Sequence, residues 1–327
     1  MGWQEEAEHL KFDDGKSWAE IATELASYFP QLNPHQVREK VRDYIRNHSE
    51  RYQPQKPVKT EKPKKIEVVQ NFEPTVKMVD WHGNSIIRFG LIGDTQINSK
   101  YTQLTHLHAF YDECARQGIK HVYHTGDIDE GDQMRMGHQY ECYSQGADDH
   151  VDEIVRVYPR RDGMTTHFIT GNHDASITKR SGHDIGRAIA VKRPDMEYLG
   201  QDCALICLTP NCTLELRHPW DGTAYAMSYK IQKMVEAMAG GEKPNMLAVG
   251  HYHKSEYFMY RNVHCFQTGC FQAQTPFMRG KGIAAAMGGW IIGALVDKEG
   301  TITNLRSEWI PYYCAIKDDY RNWTARL

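Results

Sequence analysis

Apolar residues recur along this chain with two different periods, and the change between them divides it. Up to about residue 50 the spacing is helical. Trp18, Ile21, Ala22, Leu25 and Phe29 share one helix face, and Val37, Val41, Tyr44 and Ile45 form a second stripe. Ser17 with Glu20 is a capping-box pair that opens the first of these helices. Asn33-Pro34 opens the next with an N-cap followed by proline at the first helical position. A compact three-helix unit over residues 1–50 is expected. Residues 51–65 carry Pro54, Pro57, Pro63 and five lysines, which predicts an extended, solvated linker. From 66 to 327 short apolar runs alternate with helical stretches. Strands are expected at Ile86–Ile92, Val122–Thr125, Thr166–Thr170, Leu205–Leu208, Leu214–Leu216 and Met246–Val249, with several more up to about Tyr313. Helices are expected at Leu104–Cys114 (ended by Gly118), at 137–158 and at 224–238. A βαβα start followed by a strand-rich half predicts an α/β fold of two sheets packed face to face with helices outside.

Composition narrows the function classes. A net charge of −3 over 327 residues excludes a globally basic nucleic-acid binder, so any phosphate contact has to come from a local patch. No run approaches the roughly 18 apolar residues of a membrane span. Met1 to Glu8 is polar and acidic, and the 8 cysteines show no C-x-x-C spacing. The expectation is a cytoplasmic protein with reduced thiols and no membrane partner.

The chemistry is carried by clusters at the ends of those apolar runs. They are Gly93-Asp94-Thr95-Gln96, Gly126-Asp127-Ile128-Asp129-Glu130, Gly171-Asn172-His173-Asp174, His218 and Gly250-His251-Tyr252-His253. Carboxylates, an amide oxygen and imidazoles without a thiolate suit one or two divalent ions of hard or borderline character rather than a structural zinc. A metal-dependent hydrolase is the reading.

In their order and spacing these clusters resemble the calcineurin-like metallophosphoesterases. The resemblance covers roughly residues 86–253 and implies a four-layer αββα metallophosphoesterase sandwich, joined here to the small all-α unit. It implies two divalent metal ions: Asp94, Asp127 and His253 on the first, with Asn172, His218, His251 and the shared Asp127 on the second. Manganese is the favoured ion, with magnesium, iron and zinc as alternatives. His173 resembles the family's proton donor to the leaving oxygen, and Asp174 would orient its ring. A metal-activated water would be the nucleophile. Gln96 departs from the pattern, because most members carry a ligating histidine there. A carbonyl oxygen donates more weakly, so a loosened first site is expected.

For the substrate, the basic segment Lys179, Arg180, His183 and Arg187 follows the catalytic cluster and is expected to hold substrate phosphates. The segment Gly269 to Lys281, with Arg279 and Lys281, is a second rim candidate. Arg38, Arg42 and Arg46 lie on one stripe of a unit similar to a helix-turn-helix, a candidate nucleic-acid contact beside the alternative of a solvated docking face. The leading reading is a phosphodiesterase acting on DNA, similar to the repair-exonuclease branch, with a homodimer as a further expectation. The runner-up is a small-molecule or nucleotide phosphatase or phosphodiesterase. A third reading is a DNA-binding or scaffolding protein whose metal site has decayed at Gln96.

Overall fold

The computed structural model describes residues 2–51 and 75–323, which form two compact units. The linker expected at 51–65 lies outside the described residues, apart from Arg51.

The first unit holds helices α1 (Trp3–Phe12), α2 (Trp18–Glu24) and α3 (Pro34–His48), with a 3-10 turn following α2. Ser17/Glu20 and Asn33/Gln36 both form reciprocal capping boxes, so the chain supplies its own partners for the orphan amides at two helix starts. Ala7, Leu10, Ile21, Leu25, Val37, Val41 and Ile45 make its core, and Trp3 packs edge-on against Phe29 and Tyr44. The arginine stripe is not a free cationic face. Glu39 reaches Arg42 at 2.7 Å and Arg38 at 3.6 Å, and both are half-buried, leaving Arg46 as the exposed member.

The second unit runs β1 (Thr75–Met78), β2 (Ile86–Ile92), α4 (Leu104–Arg116), β3 (His121–His124), α5 (Ala147–Val157), β4 (Thr165–Thr170), α6 (Asn172–Ser181), α7 (Ile185–Lys192) and β5 (Met196–Gln201). It continues through β6 (Cys203–Thr209), β7 (Cys212–Arg217), α8 (Tyr229–Ala237), β8 (Met246–Val249), β9 (Ser255–Tyr260), β10 (Val263–Thr268), α9 (Pro276–Gly280), β11 (Gly288–Val296) and β12 (Ile302–Pro311). Two six-stranded sheets result, in the orders β1-β6-β7-β8-β10-β9 and β12-β11-β2-β3-β4-β5. The pairs β2–β3, β3–β4 and β4–β5 are parallel, as are β7–β8 and β8–β10.

Alternation along the strands decides which face meets which layer. Phe89 and Leu91 of β2, Leu214 and Leu216 of β7, and Trp290 and Ile292 of β11 point between the sheets. Ile291 faces the other way, into a core built on α4, α5, α6 and α7. Leu247 and Val249 of β8 pack under α8. The layers are therefore helices, sheet, sheet, helix: the expected αββα sandwich.

Two expected helices are shorter than their patterns suggested. The stretch 137–158 is helical only over α5, after a 3-10 turn at His138–Tyr140. Gly137 and Gly146 adopt φ of 80° and 97°. Between them the backbone is drawn onto the loop after β2, with Tyr143 N–H donating to the Asn98 carbonyl and Lys100 N–H to that of Glu141. Of 224–238, only Tyr229–Ala237 is helical. The Ala224 and Met227 carbonyls accept from the Lys254 and Gln267 side chains instead of from a helix backbone.

Candidate metal centre

Parallel strands deliver their C-terminal ends to one edge of each sheet, and the five sequence clusters sit there. Asp94 follows β2, Asp127 follows β3, Asn172 follows β4, His218 follows β7, and His251 and His253 follow β8. The backbone is strained at this edge. Asp94, Gln96, Asp127, His251 and His253 all have positive φ, between 48° and 75°. Non-glycine residues in that region cost on the order of 1 kcal/mol each, and surrounding structure has to hold them there. Gly171 permits a close approach: a Cβ on it would lie 2.4 Å from Asp127 Oδ1 and 2.6 Å from the His218 ring.

Four acceptors converge in one set. His218 donates Nδ1–H to the Thr125 carbonyl (2.8 Å), which turns Nε2 toward Asn172 Oδ1 at 3.0 Å and Asp127 Oδ2 at 3.2 Å. His251 donates Nε2–H to the Asp221 carbonyl (2.6 Å), which turns Nδ1 toward the same Asn172 oxygen at 2.8 Å. Ring nitrogens of two imidazoles, an amide oxygen and a carboxylate thus face one another, an arrangement that a bound cation or a proton on His218 satisfies. Asp127, His218 and His251 present their ligand atoms within 4.8 Å of one another. Burial opposes ionisation of Asp127, yet the His218 and His173 imidazoles outweigh it and hold the carboxyl well below the usual range. Burial likewise opposes charge on His218, but Asp127 beside it pushes the imidazole up to about 9.

The other set is looser. Asp94 is fully buried and accepts His251 N–H on both oxygens, at 3.0 and 2.9 Å. His253 Nε2 lies 3.3 Å from Asp94 Oδ1. Gln96 donates Nε2–H to Asp127 Oδ2 at 3.2 Å, while its Oε1 is buried without any hydrogen-bond partner. An orphaned buried oxygen of this kind costs free energy that a cation in contact with it would recover. The residues present therefore fit a divalent cation at Asp127, His218 and His251.

His173, at the second position of α6, lines the adjoining cavity. Its backbone N–H donates to Asp127 Oδ1 (2.9 Å) and its ring Nδ1–H to the Glu130 carbonyl (2.5 Å), which leaves Nε2 for the cavity. Asp174 does not orient that ring. Its carboxylate accepts four backbone N–H groups, those of Gly171 (2.8 Å), Asp127 (2.8 Å), Ile128 (3.3 Å) and Asp129 (2.9 Å). It clamps the Asp127 loop to the start of α6, so the expected orienting role passes to the Glu130 carbonyl. Glu130, His138 and His173 also cluster closely enough for a metal. There, however, Glu130 accepts from His138 Nε2 (2.8 Å) and Gln272 Nε2 (2.5 Å), and His138 Nδ1 accepts Met134 N–H (3.3 Å). Every donor has its acceptor, and no cation is called for.

The cavity has a volume of about 470 Å³. Asp127, His173, His251 and His253 border it, together with Arg135, Thr223, Phe277 and Lys281. Of the basic residues expected to hold phosphates, none is among its lining residues. Lys179 lies over the Trp220 ring at 3.8 Å, and Arg180 is paired with Asp132, a loop neighbour of Glu130. His183 and Arg187 border a separate groove with Asp148 and Val151. Arg135 lies outside every segment the sequence motifs single out, while Glu130 ends the Gly126 cluster and Gln272 and Phe277 lie within Gly269–Lys281. Only the Gly269–Lys281 segment had signalled this wall.

The sequence matches no family model and no curated protein. Among solved structures, the fold is similar to an archaeal phosphodiesterase (11% identity, 68% of this chain and 100% of that one, TM-score 0.37). It is also similar to Vps29 with Zn²⁺ from Entamoeba histolytica (12%, 69% and 99%, TM-score 0.33). A third is vacuolar protein sorting 29 from Cryptosporidium parvum (14%, 70% and 100%, TM-score 0.37). Likeness this slight assigns neither family nor activity.

Proposed function

We propose that this chain is a divalent-metal-dependent phosphoesterase that hydrolyses phosphodiester bonds, with nucleic acid as its substrate class. The observation that carries the reading is the convergence of ligand atoms from Asp127, Asn172, His218 and His251 beside His173. Asp94, Gln96, Asp127 and His253 would hold one ion, and Asp127, Asn172, His218 and His251 the other. Ions bound there would supply Lewis acidity and an acidified water next to the cavity. His173, with Nδ1–H fixed on Glu130, carries at Nε2 the proton that a leaving oxygen in the cavity would take. Asp174 keeps the Asp127 loop and α6 in register, so His173 and the Asp127 carboxylate hold one geometry. Outside the cavity, Lys179 on α6 lies over the Trp220 ring without a carboxylate partner among the described residues, which supports contact with a polyanionic strand. The 470 Å³ volume of the cavity favours a second reading, a nucleotide-sized diester.

The test is incubation with manganese and labelled single- and double-stranded DNA, a bis-aryl phosphodiester and an aryl monoester. Diester cleavage abolished by His173→Ala supports the proposal. Turnover of the monoester alone rejects it, and metal binding without any turnover favours a scaffold.

A further inference from the structure

The reading of the metal edge as a phosphodiesterase centre leaves one wall of the cavity without a task. Thr275 caps the short helix α9 by accepting Met278 N–H, and Phe277, Met278, Lys281 and Ile283 of this segment border the same cavity as His173 and His251. Phe277 keeps 42% of its surface exposed there, although the Arg135 guanidinium lies 4.4 Å from its ring. A phenyl ring with a cation near it and part of its surface open to the cavity is a surface for another flat π system. The charges on this wall are unequal. Arg135 is answered by Glu141 at 2.5 Å, whereas Lys281 has no carboxylate partner among the described residues. The wall thus offers one aromatic face and one unneutralised cation, close to a site that binds phosphoryl oxygens under the proposed function. A volume of about 470 Å³ suits one nucleotide.

We infer that Phe277 and Lys281 form a nucleotide subsite: the base next to the scissile diester lies on Phe277, and Lys281 pairs with a further, non-scissile phosphate of that nucleotide. The inference rests on the phosphodiesterase reading and narrows its substrate to a diester whose terminal nucleotide is phosphorylated.

The experiment uses the manganese-loaded full chain and four diesters: a 5′-phosphorylated dinucleotide, its unphosphorylated form, an abasic analogue and a bis-aryl phosphodiester. In the parent protein the base-bearing dinucleotide should show a KM about tenfold below that of the abasic one, since stacking of one base is worth about that factor or more. Phe277→Ala and the apolar Phe277→Leu should both bring this ratio close to one. Lys281→Gln should erase the advantage of the 5′-phosphate and leave the base preference in place. Calorimetry in chelator, with a 5′-phosphorylated dinucleotide carrying a methylphosphonate linkage, reads the same subsite without turnover. Binding there should fall about tenfold in Phe277→Leu. An unchanged base preference in both Phe277 variants would overturn the stacking role, and an unchanged phosphate preference in Lys281→Gln the pairing role. No hydrolysis of any diester would sink the phosphodiesterase reading instead, while the chelator titration would still decide the subsite.

Discussion

His218 Nε2 and Asn172 Oδ1 face each other at 3.0 Å, and the His218 ring is turned that way by its bond to the Thr125 carbonyl. In the neutral imidazole this sets one lone pair against another, so the contact needs a proton or a metal ion between the two groups. Removing His218 should therefore act on metal binding before it acts on the fold. We expect His218→Ala to weaken one of two manganese sites by at least about 100-fold in calorimetry. The rise in Tm on adding manganese should shrink accordingly. Two unaltered sites in the variant would reject the assignment.

Much of this edge was legible because each cluster pairs a strand-ending apolar run with a residue that tolerates positive φ. Asp94, Asp127 and His251 show both features. The strand ends at Ile92 and Val249 coincide with the apolar pattern, and the αββα layering follows from the same alternation. The role of Asp174 was not legible, since spacing cannot tell a carboxylate that holds a neighbouring ring from one that holds four backbone amides. The cavity wall was only half legible. Phe277 and Arg135 are 142 residues apart in the chain and meet only through the tertiary fold. The breaks at Gly146 and before Tyr229 escaped because their causes are long-range hydrogen bonds, to Asn98 in one case and from Lys254 and Gln267 in the other.

Gln96 sets the balance between the two ions. Its Nε2–H bond to Asp127 leaves Oε1 buried and unpaired, a neutral donor where an imidazole would bind more strongly. Gln96→His should tighten the weaker manganese site by roughly 10-fold or more, in the range typical of changes around metal ligands. It should leave the His218-containing site within about twofold. Calorimetric titration at fixed pH checks both, and an unchanged weaker site would show that residue 96 lies outside the coordination sphere.

The Asp174 clamp separates positioning from proton transfer. An asparagine there keeps one acceptor oxygen but sets an NH2 group against backbone N–H groups that now have a carboxylate. We expect Asp174→Asn to cost about 2 kcal/mol in urea unfolding, since an acceptor oxygen is lost and buried backbone donors are left unpaired. Residual activity on a bis-aryl phosphodiester should fall, while its pH profile keeps its shape because the His173 ring rests on Glu130. A displaced alkaline limb in that profile would restore the orienting role.

Away from the metal edge, His167 makes stability depend on pH. It lies on β4, with 5% of its side chain exposed, between Glu197 (2.9 Å) and His121 (3.0 Å), and its ring stacks on Tyr123. Burial pushes it down from 6.5 to about 4, and the attraction of Glu197 only partly offsets this. Between those values the unfolded chain binds a proton that the native protein refuses. Stability from this group is therefore complete above about pH 6.5 and is lost as the pH falls toward 4. His121, also pushed down by burial, acts in the same direction, whereas Glu197 contributes only below its own ordinary value of 4.5. In chelator, so that metal release does not intrude, the parent protein should lose about 2–3 kcal/mol more than His167→Gln between pH 7 and 4.5. Urea titrations at half-unit steps measure the difference, and parallel curves for the two proteins would show that His167 titrates alike folded and unfolded.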